Sequence, residues 1–123
     1  MPSPLEHEAL DSLEIGRLAV EAAVDKHASN IVMLDVRKVV NIADYFVICT
    51  AETARQINAV VEGIEEAFVR AGIGRRRREG ETESGWVLLD YGDVIVHVFA
   101  PAERDYYRLE RLWRDAPPVV QIQ

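Results

Sequence analysis

The stretch GWVLLDYGDVIVHVFAP, residues 85–101, holds the side chains best suited to chemistry. Asp90 and Asp93 flank Tyr91-Gly92, and His97 follows four residues later. Two carboxylates this close can share a proton or hold a divalent cation, and an imidazole can act as a base near neutral pH. The same residues have a plainer use. Aspartates favour turns because their side chains bond nearby backbone amides. A histidine between Val96 and Val98 reads as a strand residue tethered by one hydrogen bond. The turn and the tether are the preferred readings.

Other routes to catalysis find little support. His7, His27 and His97 lie far apart, and none belongs to an H-x-x-x-H or H-E-x-x-H pattern, so no metal centre is expected. Cys49 sits in FVICTA with no basic neighbour to stabilise a thiolate, and reads as an inert core residue. There is no G-x-S-x-G and no P-loop, and the GIG at 72–74 opens no helix. The sequence therefore assigns no catalytic residue, no metal ligand and no cofactor-binding residue, and no cofactor is expected.

Two features suit recognition better. Arg70 and Arg75, Arg76, Arg77 and Arg78 crowd one short segment. They could grip phosphates through bidentate hydrogen bonds, or keep an exposed edge strand soluble and unpaired; the second reading is preferred. The aromatic residues say more. Trp86 opens a strand beside a glycine, where its ring need not be fully covered, and Tyr107 falls off the apolar stripe of its helix beside Arg111 and Arg114. Partly exposed tryptophan, tyrosine and arginine are what binding hot spots are made of. Trp113, by contrast, reads as a core ring.

These residues must be carried by regular elements. Ile15, Leu18, Ala19, Ala22 and Ala23 recur at helical spacing and predict a helix over 12–28. IVMLDV and YFVICT read as buried strands, with KVVNIAD between them as a connector. Thr53 and Gln56 form a T-x-x-Q capping signal for a helix whose stripe is Ile57, Val60, Val61, Ile64, Ala67 and Phe68, with Gly72 as its stop. Residues 86–91 and 94–99 read as two strands around Gly92, with Val94, Val96 and Val98 on one face and Ile95, His97 and Phe99 on the other. Because both faces are apolar, layers should cover both sides of the sheet. A last helix is predicted over 102–113, burying Tyr106, Leu109, Leu112 and Trp113, before Pro117-Pro118 forbids continuation.

The predicted fold is a single α/β domain with a mixed, roughly five-stranded sheet flanked by helices. Residues 1–11 read as a flexible leader, 12–117 as the domain and 118–123 as a loose tail. The chain has 123 residues, about half of them apolar (49%), enough for a real core. One cysteine excludes an intramolecular disulfide, which suits a reducing compartment. No signal peptide, transit peptide or membrane helix is apparent. A net charge of −7 argues against non-specific coating of nucleic acid and favours a basic protein partner.

DYFVICT, RQINAVVEGIEEAF, REG, GWVLLDYGDVIVHVFAP and RDYYRLERLWRDAP, in this order, resemble the ribosomal silencing factor family, also called Iojap or RsfS. The resemblance runs from about Leu13 to Pro117. It implies a cytoplasmic, homodimeric protein without catalysis, which binds the large ribosomal subunit at large-subunit ribosomal protein fourteen. Occupying that surface would block joining of the small subunit and repress translation when nutrients are short. Carried over by position, the partner-binding residues would be Trp86, Asp90, Tyr91, Asp93, Tyr107, Glu110 and Trp113. The Arg75–Arg78 run is no signature of the family; it reads as particular to this chain, where it could reach nearby ribosomal RNA. The family's fold also resembles nucleotidyltransferases. Those enzymes need a Gly-Ser turn and a D-x-D pair, whereas this chain has Ala51-Glu52-Thr53 and no D-x-D. A nucleotide-transferring site around Asp35, Asp44 and Asp90 is the rival reading.

Overall fold

A computed structural model of the chain describes residues 10–75, 77–112 and 114–123, with only the backbone at Leu112. Most of the expected leader, His7, Arg76 and Trp113 therefore lie outside the described residues. The chain begins with α1 (Ser12–Asp25), β1 (Ser29–Asp35), β2 (Tyr45–Thr50), α2 (Ala54–Arg70) and β3 (Arg77–Glu79). A 3-10 turn at Thr82–Ser84 leads into β4 (Trp86–Asp90) and β5 (Val94–Phe99). Two short helices, α3 (Pro101–Tyr107) and α4 (Leu109–Leu112), precede β6 (Pro118–Ile122).

The strands form one six-stranded mixed sheet in the order β3-β4-β5-β2-β1-β6. Only β2 and β5 run parallel among these neighbours; the other pairs are antiparallel. The sixth strand corrects the expectation of a loose tail at 118–123. Pro117-Pro118 does stop the preceding helix, but it then feeds an edge strand that pairs Met33 with Val120 and Ile31 with Ile122. Proline lacks the N–H that an inner strand needs and is tolerated at the start of an edge.

Period-two alternation sorts the strands onto two faces. Met33, Val47, Cys49, Val87, Leu89, Val96 and Val98 pack beneath the two long helices with Ala19, Ala23, Val60, Val61, Ile64 and Phe68. Both helices are capped by side chains. Asp11 and Glu14 exchange hydrogen bonds in a full capping box that the sequence reading overlooked. Thr53 accepts from the Gln56 amide as predicted, while the Gln56 side chain takes the Glu52 N–H rather than that of Thr53.

The other face carries Val32, Leu34, Phe46, Ile48, Ile95 and Phe99. Its cover is thinner, because the single last helix expected from the sequence is broken. Arg108 adopts a left-handed backbone (φ 48°), which ends α3 and turns the chain into the one-turn α4. The break also moves Tyr106 off the buried stripe assigned to it: it is 79% exposed.

Deleting residues 118–123 should thus uncover β1 as an edge and lose the half-buried Val119 and Val120. Chemical denaturation should report a loss of about 2 kcal/mol or more, whereas removal of an unattached tail would leave the midpoint unchanged.

Candidate functional site

The thinly covered face gathers Phe46, Trp86, His97, Phe99 and Tyr107. In register, Trp86 lies opposite Phe99 and Leu88 opposite His97, so β4 and β5 place all four on one side. The Trp86 ring stacks on Phe99 with centroids 4.9 Å apart, and Tyr107 reaches down from α3 to within 4.5 Å of Trp86. Trp86 Nε1 donates to His97 Nδ1 at 3.2 Å, and Phe46 meets the imidazole edge-on at 5.2 Å. Trp86 and Leu88 remain half-buried and Tyr107 is 43% exposed, so a floor of sealed rings carries an open aromatic rim. With Glu79, Gly80 and Ser84 these residues line a cleft of about 260 Å³.

Two glycines let the backbone pass this close. Gly80 takes φ +88°, and a Cβ there would come within 2.1 Å of the Trp86 carbonyl oxygen. Gly85 takes φ +81°, and a Cβ there would run into the Glu103 carboxylate. A side chain at Gly80 would push against the β4 backbone, whereas at Gly85 it would displace the Glu103 carboxylate and strain the left-handed backbone.

The titratable groups fit recognition better than catalysis. Burial lowers the His97 pKa to about 4, so the ring is neutral at physiological pH. Because Nδ1 accepts from Trp86, its proton sits on Nε2, which has no hydrogen-bond partner among the described residues. Burial raises the Cys49 thiol to about 12, which withholds the thiolate that a nucleophile requires. Asp90 Oδ1 accepts from the Gly92 N–H at 2.8 Å, the turn use anticipated for it. The rival aspartates are engaged as well. Asp35 is held below its usual range chiefly by a hydrogen bond from Arg37, and Asp44 accepts from the Ser12 hydroxyl at 2.7 Å. Among the described residues, no group of three or more His, Cys, Asp or Glu side chains could hold a metal ion.

Comparison with known proteins identifies the scaffold. The profile of the family described as "Ribosomal silencing factor during starvation" matches residues 9–123. The chain belongs to the ribosomal silencing factor family. It is 42% identical over 110 residues to ribosomal silencing factor RsfS of Halalkalibacterium halodurans, covering 89% of this chain and 94% of that one. The RsfS of Bacillus subtilis is also 42% identical, over 108 residues, with 88% and 92% covered. A crystal structure of a Chromobacterium violaceum protein superposes with a TM-score of 0.82 at 36% identity, covering 85% of this chain and 87% of that chain.

In this member of the silencing factor family, the residues singled out in the sequence separate into groups. Trp86 and Tyr107 are brought together, and Asp90 shares their sheet face by register. Asp93 is exposed in the turn. Tyr91 does not join them. Its ring lies 4.3 Å from Phe68 in the helix-covered core, and burial followed by the charge of Glu65 raises its pKa to about 12. One residue past Asp90, it takes the opposite face. Glu110 is half-buried and ion-paired, its carboxylate 3.3 Å from Arg104 Nε. The arginine segment is also paired: Arg75 and Arg78 with Glu65, and Arg77 with Glu79. Leu88 and Glu79 were missed, although Leu88 follows from Trp86 by the i+2 rule. Among the described residues, no helix is long and apolar enough to cross a membrane.

His97 makes acid a specific stress. Its folded pKa, about 4, lies below the unfolded value near 6.5, so only the unfolded chain takes up the proton between these values. The stability it protects is intact above pH 6.5 and drains away as pH falls towards 4, by roughly 3 kcal/mol. Urea melts at pH 7 and pH 4.5 should show that His97→Gln, which retains an acceptor for Trp86, has a markedly shallower pH dependence than the native chain. Equal slopes would contradict the assignment.

Proposed function

We propose that this protein docks on the large ribosomal subunit, through large-subunit ribosomal protein fourteen, and holds the small subunit away. The observation that carries this reading is the open rim of Trp86, Leu88 and Tyr107 on a rigid sheet, in a chain of the silencing factor family. Amphipathic rings whose floor is already packed lose little conformational freedom on binding, which is why such residues dominate interface energies. Asp90 and Asp93 lie at the far end of β4, and a chain of net charge −7 suits a basic partner surface.

The work done is steric, with no bond made or broken. A wedge acts by occupying area that another body needs, so the effect scales with occupancy and requires no turnover. Nutrient limitation is the setting in which such a hold on translation is useful, and the cytoplasm is where it would act, as a homodimer. A contact between the Arg75–Arg78 segment and ribosomal RNA belongs to the same reading. There the glutamates now pairing with Arg75, Arg77 and Arg78 would compete with phosphate. The nucleotide-transferring alternative gains no supporting observation.

The decisive variant is Tyr107→Ala, because that ring is 43% exposed and supports little of the core. Co-sedimentation with isolated large subunits should show binding weakened by about 2 kcal/mol, with an almost unchanged melting temperature. Trp86→Ala should lose binding and stability together, since its ring also covers Phe99 and bonds His97. Native-like binding by Tyr107→Ala would remove this face from the interface.

A further inference from the structure

Helix α3 has little to hold it in place. It is seven residues long, its N-terminus lacks a side-chain cap, and none of its residues is fully buried. A helix this short has almost no intrinsic stability, so something outside it must fix where Tyr107 points.

Arg104 is placed to do so. Its side chain is only 15% exposed. Nη1 donates to the Thr50 hydroxyl at 2.9 Å and also to the Asn30 carbonyl, binding the helix to the end of β2 and the start of β1. Nε faces both oxygens of Glu110, at 3.3 and 3.4 Å, which ties α3 to α4 across the bend. The left-handed Arg108 brings Glu110 back over Arg104, and Arg108 braces the bend by donating from Nε to the Asp105 carbonyl at 2.9 Å. Tyr107 follows Arg104 by three residues, one helical turn along the same side.

We propose that Arg104 is a positioning residue: its guanidinium clasps α3 to β1, β2 and α4, and so sets the Tyr107 ring over Trp86. The clasp needs arginine. A planar fork addresses a carbonyl, a hydroxyl and a carboxylate in different directions at once, whereas an ammonium is a single point. It also explains Glu110, which the family resemblance had placed on the partner surface: a largely covered guanidinium needs a counter-charge, and Glu110 supplies it. Arg104 and Arg108 each face a carboxylate, Glu110 and Asp105 respectively. This inference rests on the docking reading only for its consequence in binding; the positioning itself is read without the ribosome.

The test has two arms. In the full-length chain, Tyr107 lies within the ring current of Trp86, so its aromatic proton resonances should be displaced from unstructured values. Arg104→Met should return them towards those values while methyl resonances of Val47, Val96 and Val98 stay put. Glu110→Gln, a gentler cut at one arm of the clasp, should shift them in the same direction if Arg104→Met fails to fold. In the second arm, affinity for isolated large subunits should fall about tenfold in Arg104→Met, and Arg104→Met/Tyr107→Ala should bind no more weakly than Tyr107→Ala alone. Unmoved Tyr107 resonances in a folded Arg104→Met, or fully additive losses of affinity, would overturn the proposal. Should the native chain not bind large subunits at all, the docking reading fails while the resonance arm still decides the role of Arg104.

Discussion

The 3.2 Å hydrogen bond from Trp86 to His97 is the constraint on which the exposed face depends. It joins neighbouring strands through side chains, holds the imidazole in one tautomer, and fixes the plane of the indole. With that plane set, one side of the ring rests on Phe99 and Tyr107 can pack against it. A tryptophan free to rotate would bury itself further or present its edge. Held by its nitrogen, it keeps one surface turned to solvent. The cost is a histidine kept neutral in a nearly dry setting, with one nitrogen unsatisfied among the described residues.

The unequal cover of the sheet follows from chain order. Both long helices lie on one face, where their apolar stripes seal the strands. The opposite face receives the β1–β2 connector, with Val36, Val40 and Ala43, and two short helices divided by a left-handed residue. This asymmetry suits a recognition module. One side supplies the stability, and the other is spared from complete packing and can retain rings at a boundary with water. The arginine-bearing edge serves a related end. β3 is three residues long, exposed along its length and ion-paired, which leaves little template for another chain to extend the sheet.

Much of this was legible in the sequence because the signals were local. The YFVICT strand, the Thr53 cap, the turn at Asp90 and the alternation through Val94–Phe99 each depend on neighbours in the chain, and each emerged where expected. Residue type and helical offset single out Trp86 and Tyr107, and the fold brings the two rings into contact. The missing parts rest on distant contacts or rare backbone states. Nothing near Pro118 reveals that 118–122 will find β1. Nothing in RDYYRLE announces that Arg108 will turn left-handed, so the sequence predicts a continuous last helix with Tyr106 buried. Arg104 meets partners 54 and 74 residues away, which no short-range pattern can encode. The resemblance puts Tyr91 on the partner surface, whereas strand alternation counted from Trp86 sends it to the helix-covered face.

Exclusion of one body by another can be measured apart from any single residue. Purified large and small subunits are mixed, and their joining is followed by light scattering as this protein is titrated in. Joining should fall in proportion to occupied large subunits and reach completion at saturation, with no nucleotide required. Undiminished joining at saturating occupancy of the large subunit would contradict the account, because a bound wedge that leaves the gap open is not acting as one.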